Sequence, residues 1–199
     1  MKQQIAVWCA VLVATAAFAD GLKLGDKAPM TDAKMKNVDG KEVTIAGVTG
    51  KNGTLVIFTC NHCPFAKAWE KRIADLGNVY AKKGVGVIAI NSNDPESYAE
   101  DSYENMQKHA KAAPFDFPYA VDATSDVARA FGASRTPEVF LFDKEGKLVY
   151  HGAVDDNKDA PKVTQTYLKE ALDDVVAGKP VTTAETKAVG CGIKLRAKA

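Results

Sequence analysis

Neither sign of charge dominates this chain: 26 lysines and arginines stand against 25 aspartates and glutamates, a net charge of +1 over 199 residues. No basic stripe breaks that balance, which argues against nucleic acid as a partner and gives no pull toward an anionic membrane. Histidine is scarce, at three residues, and cysteine is held to four. The cysteines make a single Cys-x-x-Cys, with no second one and no close histidine pair, so sequence spacing does not assemble the four ligands of a structural zinc site. Internal repeats and low-complexity segments are absent. A membrane-length apolar run is also missing, since residues 5–19 amount to 15 positions where a spanning helix needs about 20.

That short run has the form of an export leader. Lys2 supplies the positive end, and Ala17-Phe18-Ala19 has the small-x-small pattern of a cleavage site. The expectation is a signal peptide over residues 1–19, cleaved after Ala19, and a periplasmic or secreted mature protein without stable membrane insertion. An uncleaved anchor is the alternative. Cys9 lies inside the leader behind Val7 and Trp8, not the small residues that lipoprotein processing requires. Cleavage removes Lys2 and no acid, leaving 25 bases against 25 acids. It also leaves three cysteines, Cys60, Cys63 and Cys191, in a compartment where disulfides persist. Once two of them pair, one thiol is left over.

Hydrophobic residues make up 46 % of the sequence, enough for one sizeable core. Asp39-Gly40 between two β-prone runs over residues 33–45 predicts a hairpin. Leu55-Val56-Ile57-Phe58 reads as a buried strand. From Pro64 the pattern turns helical, with Phe65, Trp69, Ile73, Leu76 and Tyr80 recurring on one face. Residues 85–90 form a second continuous apolar strand. A polar helix over 96–113 follows, then a short strand at 117–121 that Pro118 demotes toward an edge. A short helix at 124–131, a strand at 138–142, a turn, a strand at 147–151 and an amphipathic helix at 164–177 complete the order. The middle alternates as βαβ units do, and the end is an antiparallel hairpin. The expected class is α/β, a central mixed sheet with helices on both faces.

The chemistry concentrates in Thr59-Cys60-Asn61-His62-Cys63-Pro64, where a strand feeds a Cys-x-x-Cys at a helix start. The helix N-terminus favours a thiolate, and thiolates attack disulfides. His62 is placed to add positive charge or a hydrogen bond and to depress Cys60 further. The stretch reads as a dithiol–disulfide site; a structural disulfide and a zinc half-site are the blander readings. Lys67 and Lys71 suit a solvated helix face. His109 and His151 suit surface or structural positions.

With Thr136-Pro137 opening a later strand, Asp155-Asp156-Asn157, and Gly190-Cys191-Gly192-Ile193-Lys194, the chain resembles the exported thioredoxin-like redoxins grouped with the alkyl hydroperoxide reductase and thiol-specific antioxidant proteins. The resemblance covers residues 22–194. It implies a thioredoxin fold with an N-terminal β-hairpin, a domain over 20–180 and a C-terminal tail over 181–199. It implies Cys60 as nucleophile, Cys63 as resolving thiol, and Pro137 as a cis-proline facing the dithiol with Thr136 backbone presented to substrate. Three departures stand out. Thr54 occupies the position of thioredoxin's buried Asp, Ala66 that of a Glu in cytochrome-maturation thioredoxins, and the Pro and Thr that organise peroxide in peroxiredoxins are missing.

The expected activity is thiol–disulfide exchange through Cys60, Cys63 and His62, with protein thiols or disulfides as substrates, a membrane redox partner as a candidate, and no cofactor or metal. A thiol peroxidase with antioxidant activity and a copper-binding chaperone of the same fold are the alternatives. Cys191 is either a third redox thiol or an inert residue packed on the sheet. Asp155 to Asn157 read equally as a turn before the last helix.

Overall fold

The computed structural model describes residues 21–112 and 115–197; the leader lies outside them. Strands β1 (Met35–Asn37) and β2 (Glu42–Val43) form the hairpin expected at Asp39-Gly40, with Gly40 at φ 87°. Strand β3 (Gly53–Phe58) is buried along its whole length. Then follow α1 (Pro64–Lys82), β4 (Val85–Asn91), α2 (Tyr103–Ala112), β5 (Tyr119–Val121), α3 (Asp126–Phe131), β6 (Arg135–Thr136), β7 (Glu138–Asp143), β8 (Leu148–Gly152), α4 (Tyr167–Val176) and β9 (Cys191–Gly192).

One ladder runs β2-β1-β5-β4 and another β3-β7-β8. They meet side by side where the Thr59 N–H donates to the Ile90 carbonyl at 2.9 Å. The β4–β5 pair is parallel and the β3–β7 and β7–β8 pairs are antiparallel, so the sheet is mixed as expected. Alternation along β3 sends Leu55 and Ile57 to one face, against Trp69, Ile73 and Tyr80 of α1 and Leu168 and Leu172 of α4. It sends Val56 and Phe58 to the other, against Val127 and Phe131 of α3 and Ile45. With both faces covered, β3 is held on every side, and the loop leaving it starts from a fixed point.

Two sequence expectations need correction. Strand β5 is not at an edge: it lies between β1 and β4, because pairing starts at Tyr119 and Pro118 contributes only its carbonyl, which accepts from the Ala89 N–H at 2.9 Å. The helix expected over 96–113 is broken as well. A 3-10 turn at Ala99–Asp101 precedes α2, and Ser102 between them is extended at ψ 152°, which an α-helix cannot accommodate. The break turns Asp101 inward. Residues 184–196 also bond to the body: the Ala184 carbonyl accepts from His151 N–H at 3.0 Å, and Arg196 N–H donates to Ser125 Oγ at 3.0 Å.

Candidate active site

The buried strand β3 ends at Phe58, and the Cys60-Asn61-His62 loop crosses from its tip to α1. Cys63 is the N-cap of that helix, with extended φ and ψ, and Pro64 occupies the first helical position, where a missing N–H costs nothing. The Cys63 carbonyl accepts the first helical bond, from Lys67 N–H at 3.0 Å. Opposite the loop, the Thr136–Pro137 bond is cis. The Cys60 sulfur lies 3.1 Å from the Thr136 hydroxyl, and the Cys63 sulfur 3.2 Å from the Thr136 carbonyl oxygen. Cys60, Cys63, His62, Thr136 and Pro137 therefore share one end of the sheet.

Glu138 braces the Thr136–Pro137 corner from below. One carboxylate oxygen accepts from the Ser134 and Arg135 N–H groups at 2.7 and 2.9 Å, and the other meets His151 Nε2 at 2.7 Å. Burial alone would raise the Glu138 pKa, but the His151 bond and the two N–H donors together hold it below its ordinary value. A depressed carboxylate adds stability above its unfolded pKa and loses it as pH falls through the folded value. Glu138→Gln is thus expected to destabilise the protein by about 1–3 kcal/mol at neutral pH. The gap to wild type should narrow in melts taken at falling pH below the ordinary carboxylate range.

The two sulfurs of the dithiol shift in opposite directions. Cys60 is pushed up: it donates a hydrogen bond to Cys63, it is buried, and the Asp101 carboxylate lies nearby. That same bond, against the cost of burial, draws Cys63 down to about 4, with help from the Cys191 thiol and the Ala66 and Cys191 backbone N–H groups. Both sulfurs sit at the N-terminal end of α1, where the helix end favours a thiolate on the pair.

Asp101 supplies what the sequence did not reveal. It is 1 % exposed. One oxygen accepts from Asn61 N–H at 2.7 Å and Asn91 Nδ2 at 3.1 Å; the other meets His62 Nδ1 at 2.5 Å and Asn93 Nδ2 at 2.9 Å. His62 is fixed from its other side by the Tyr98 ring, stacked at 3.8 Å. Asn61 is held in turn by the Tyr119 hydroxyl, which donates to its side-chain oxygen at 2.9 Å. Burial raises the Tyr119 pKa well above its ordinary value, as does the Asp101 charge, so the phenol stays a donor. Thr54, where thioredoxin has its buried Asp, is a buried threonine on β3. Asp101 brings a carboxylate to the dithiol from another element, and no motif marks it. It is recognisable only once the helix break at Ser102 is seen.

Ligand atoms of Cys60, His62 and Asp101 lie within 4.8 Å of one another. Both Asp101 oxygens and His62 Nδ1 are already engaged within the protein, so an ion there would have to displace these bonds. Among the other sequence candidates, Lys71 pairs with Asp75 on the α1 surface, and His109 with Glu70. Asp155 is more than a turn: it accepts from Trp69 Nε1 at 2.6 Å and from Arg72, tying α1 to the 155–158 loop. A cavity of about 360 Å³ opens beside it, lined by Phe65, Trp69, Asn157, Lys158, Tyr167 and Val189.

Cys191 is drawn into the site rather than left in a free tail. Strand β9 pairs antiparallel with β6, with Cys191 opposite Thr136. Sequence reading leaves the Thr136 backbone open to substrate; here β9 occupies that edge. Burial and the hydrogen bond it gives Cys63 raise Cys191 to about 11, so it keeps its proton.

A Cys-x-x-Cys capping the first long helix, a cis-proline across from it and a mixed sheet covered on both faces define a thioredoxin-fold protein. The chain belongs to the Redoxin family, whose model matches residues 23–168. An uncharacterized conserved protein from Geobacillus kaustophilus superposes with a TM-score of 0.83 at 40 % identity, covering 89 % of this chain and 94 % of that one. A putative thiol:disulfide interchange protein DsbE from Chlorobium tepidum shares the fold, with a TM-score of 0.60 at 23 % identity over 79 % and 98 % of the chains. Thiol-disulfide oxidoreductase ResA of Geobacillus thermodenitrificans is 28 % identical over 125 residues, or 63 % of this chain. The match spans 66 % of that relative's length, just under two thirds.

Proposed function

We propose that the protein is a thiol–disulfide oxidoreductase acting on protein thiols or disulfides, with Cys60 and Cys63 as its redox pair. The observation that carries this reading is the placement of both sulfurs at the N-terminal end of α1 against the cis Thr136–Pro137 corner, Cys60 3.1 Å from the Thr136 hydroxyl and Cys63 3.2 Å from its carbonyl oxygen. In the reducing direction a thiolate displaces one substrate sulfur and forms a mixed disulfide. A second cysteine thiolate displaces the other substrate sulfur, and the protein ends oxidised as Cys60–Cys63. The oxidising direction is the reverse, with substrate thiols giving up their electrons to the pair.

Thr136 acts on the pair through its hydroxyl to Cys60 and its carbonyl to Cys63, and Pro137 holds that corner. His62, oriented by Asp101 and Tyr98, is a positioning residue for the Cys60 loop. The leader over residues 1–19 supports a site of action outside the cytoplasm, where a membrane-held redox partner would exchange electrons with the pair. No helix among the described residues is long and apolar enough to cross a membrane.

The test is reduction of insulin disulfides by the protein, with dithiothreitol as electron source, against the Cys60→Ser/Cys63→Ser double variant. Acceleration by wild type and none by the double variant is the expected result. Equal rates from the two would refute the reading.

A further inference from the structure

We infer that Cys191 is the thiol that meets the external partner, exchanging electrons with the buried pair through a Cys63–Cys191 disulfide. The inference rests on the redox reading of Cys60 and Cys63. Three observations carry it. The first is access: Cys60 is 4 % exposed and Cys63 0 %, whereas Cys191 is only half-buried. A partner approaching from solvent reaches Cys191 before either member of the pair.

The second is contact. Strand pairing sets Cys191 opposite Thr136, whose carbonyl oxygen lies 3.2 Å from the Cys63 sulfur, and Cys191 packs with Phe65 against Cys60, Cys63 and Ala66. Three thiols therefore gather around Thr136 at one corner of the site.

The third is how firmly β9 is held. Before it, Thr186 N–H donates to the His151 carbonyl at 3.0 Å. After it, Ile193 N–H donates to the Ser134 carbonyl at 3.0 Å, Lys194 N–H to Asn93 Oδ1 at 2.8 Å, and Arg196 Nη1 to the Asp122 carbonyl at 2.7 Å. At position 190 a Cβ would fall 2.1 Å from the Thr136 carbonyl oxygen, so only glycine lets the tail lie this close. A strand tied on both sides is built to deliver its thiol, not to lift away.

The exchange balances without an added oxidant. In the oxidised protein the Cys191 thiol gives up its proton as its sulfur attacks the Cys63 sulfur of the Cys60–Cys63 bond. That bond breaks, Cys60 leaves as a thiolate and takes up a proton in place of the one Cys191 released, and Cys63–Cys191 forms. A substrate thiolate then attacks the Cys191 sulfur and Cys63 leaves as a thiolate. A second substrate thiolate attacks the substrate sulfur of that mixed disulfide, releasing oxidised substrate and Cys191. A low-pKa sulfur leaves quickly, and Cys63 has the cap that makes it one.

Two measurements test this. First, Cys60→Ser protein equilibrated in oxidising glutathione buffer is expected to close Cys63–Cys191, seen in peptide maps as a cross-linked pair short of two hydrogens. Second, pre-reduced Cys191→Ser is expected to reduce insulin about tenfold or more slowly than wild type in acid-quenched mixing, while its Cys60–Cys63 pair still closes. Cys191→Ala, with no polar replacement, should behave alike. No Cys63–Cys191 cross-link in Cys60→Ser, or wild-type exchange rates in both Cys191 variants, would overturn the relay and leave Cys60 to meet partners directly. A wild type that never closes Cys60–Cys63 would instead bring down the redox reading beneath it.

Discussion

Serine in place of Cys63 is expected to lower disulfide exchange by on the order of a thousandfold or more, while leaving the fold intact. Cys63 joins the other two sulfurs, so without it neither Cys60–Cys63 nor Cys63–Cys191 can close, and a mixed disulfide at Cys60 or Cys191 has no neighbour to resolve it. The fold should hold because Cys63 is the N-cap of α1, and serine is among the preferred residues there. A serine hydroxyl at an N-cap can accept from an N–H of the first turn, so stability should stay within about 1 kcal/mol of wild type. Insulin reduction and a thermal melt on the same preparation separate the two effects. Exchange retained within tenfold would mean that the chemistry does not pass through Cys63.

Removing the Asp101 side chain is expected to cost about 3–5 kcal/mol of stability, the cost of breaking a buried charged cluster from one side. Asp101→Ala would strip partners from Asn61 N–H, Asn91, Asn93 and His62 at once, and the described residues contain no buried side-chain nitrogen or oxygen without a partner. The loop carrying Cys60 would lose its anchor. Asp101→Asn keeps one oxygen for the Asn61 N–H and removes a charge that adds to the effects of Cys63 and of burial in raising Cys60. With that charge gone the reduced, thiolate form gains stability, so the reduction potential of the pair should move upward, toward a stronger oxidant. Urea melts of the alanine variant and glutathione equilibria of the asparagine variant check the two parts. An alanine variant within about 1 kcal/mol of wild type would show that the cluster carries little of the fold.

What sequence alone could show follows from the range of the interactions involved. Strand β3, the Cys-x-x-Cys and the start of α1 are local: a buried apolar run, a proline at the first helical position and an apolar face at helical spacing suffice. The hairpin at Asp39-Gly40 is local too. The polar cluster is not. Asp101 reaches the dithiol across 40 residues through a break at Ser102, and in a run as polar as residues 96–111 neither the break nor the inward turn has a pattern of its own. Pro118 misled because a proline beside a strand looks like one within it; pairing begins one residue later. The tail was hardest: Val189, Cys191, Ile193 and Leu195 alternate as a strand's residues do, but nothing local names the edge they join, and bonds to β6 and to the 91–94 segment hold them on the site.

The central claim is that Cys60 and Cys63 are a reversible redox pair. The most direct test is to equilibrate the chain from residue 20 to residue 199 in glutathione buffers of graded poise and to trap and map its thiols. The expected result is one transition in which Cys60 and Cys63 lose their free thiols together, with a reduction potential between about −120 and −270 mV. If both cysteines stay free at every poise, they are not a redox pair, and the Cys60, His62 and Asp101 cluster would have to be explained as a metal site instead.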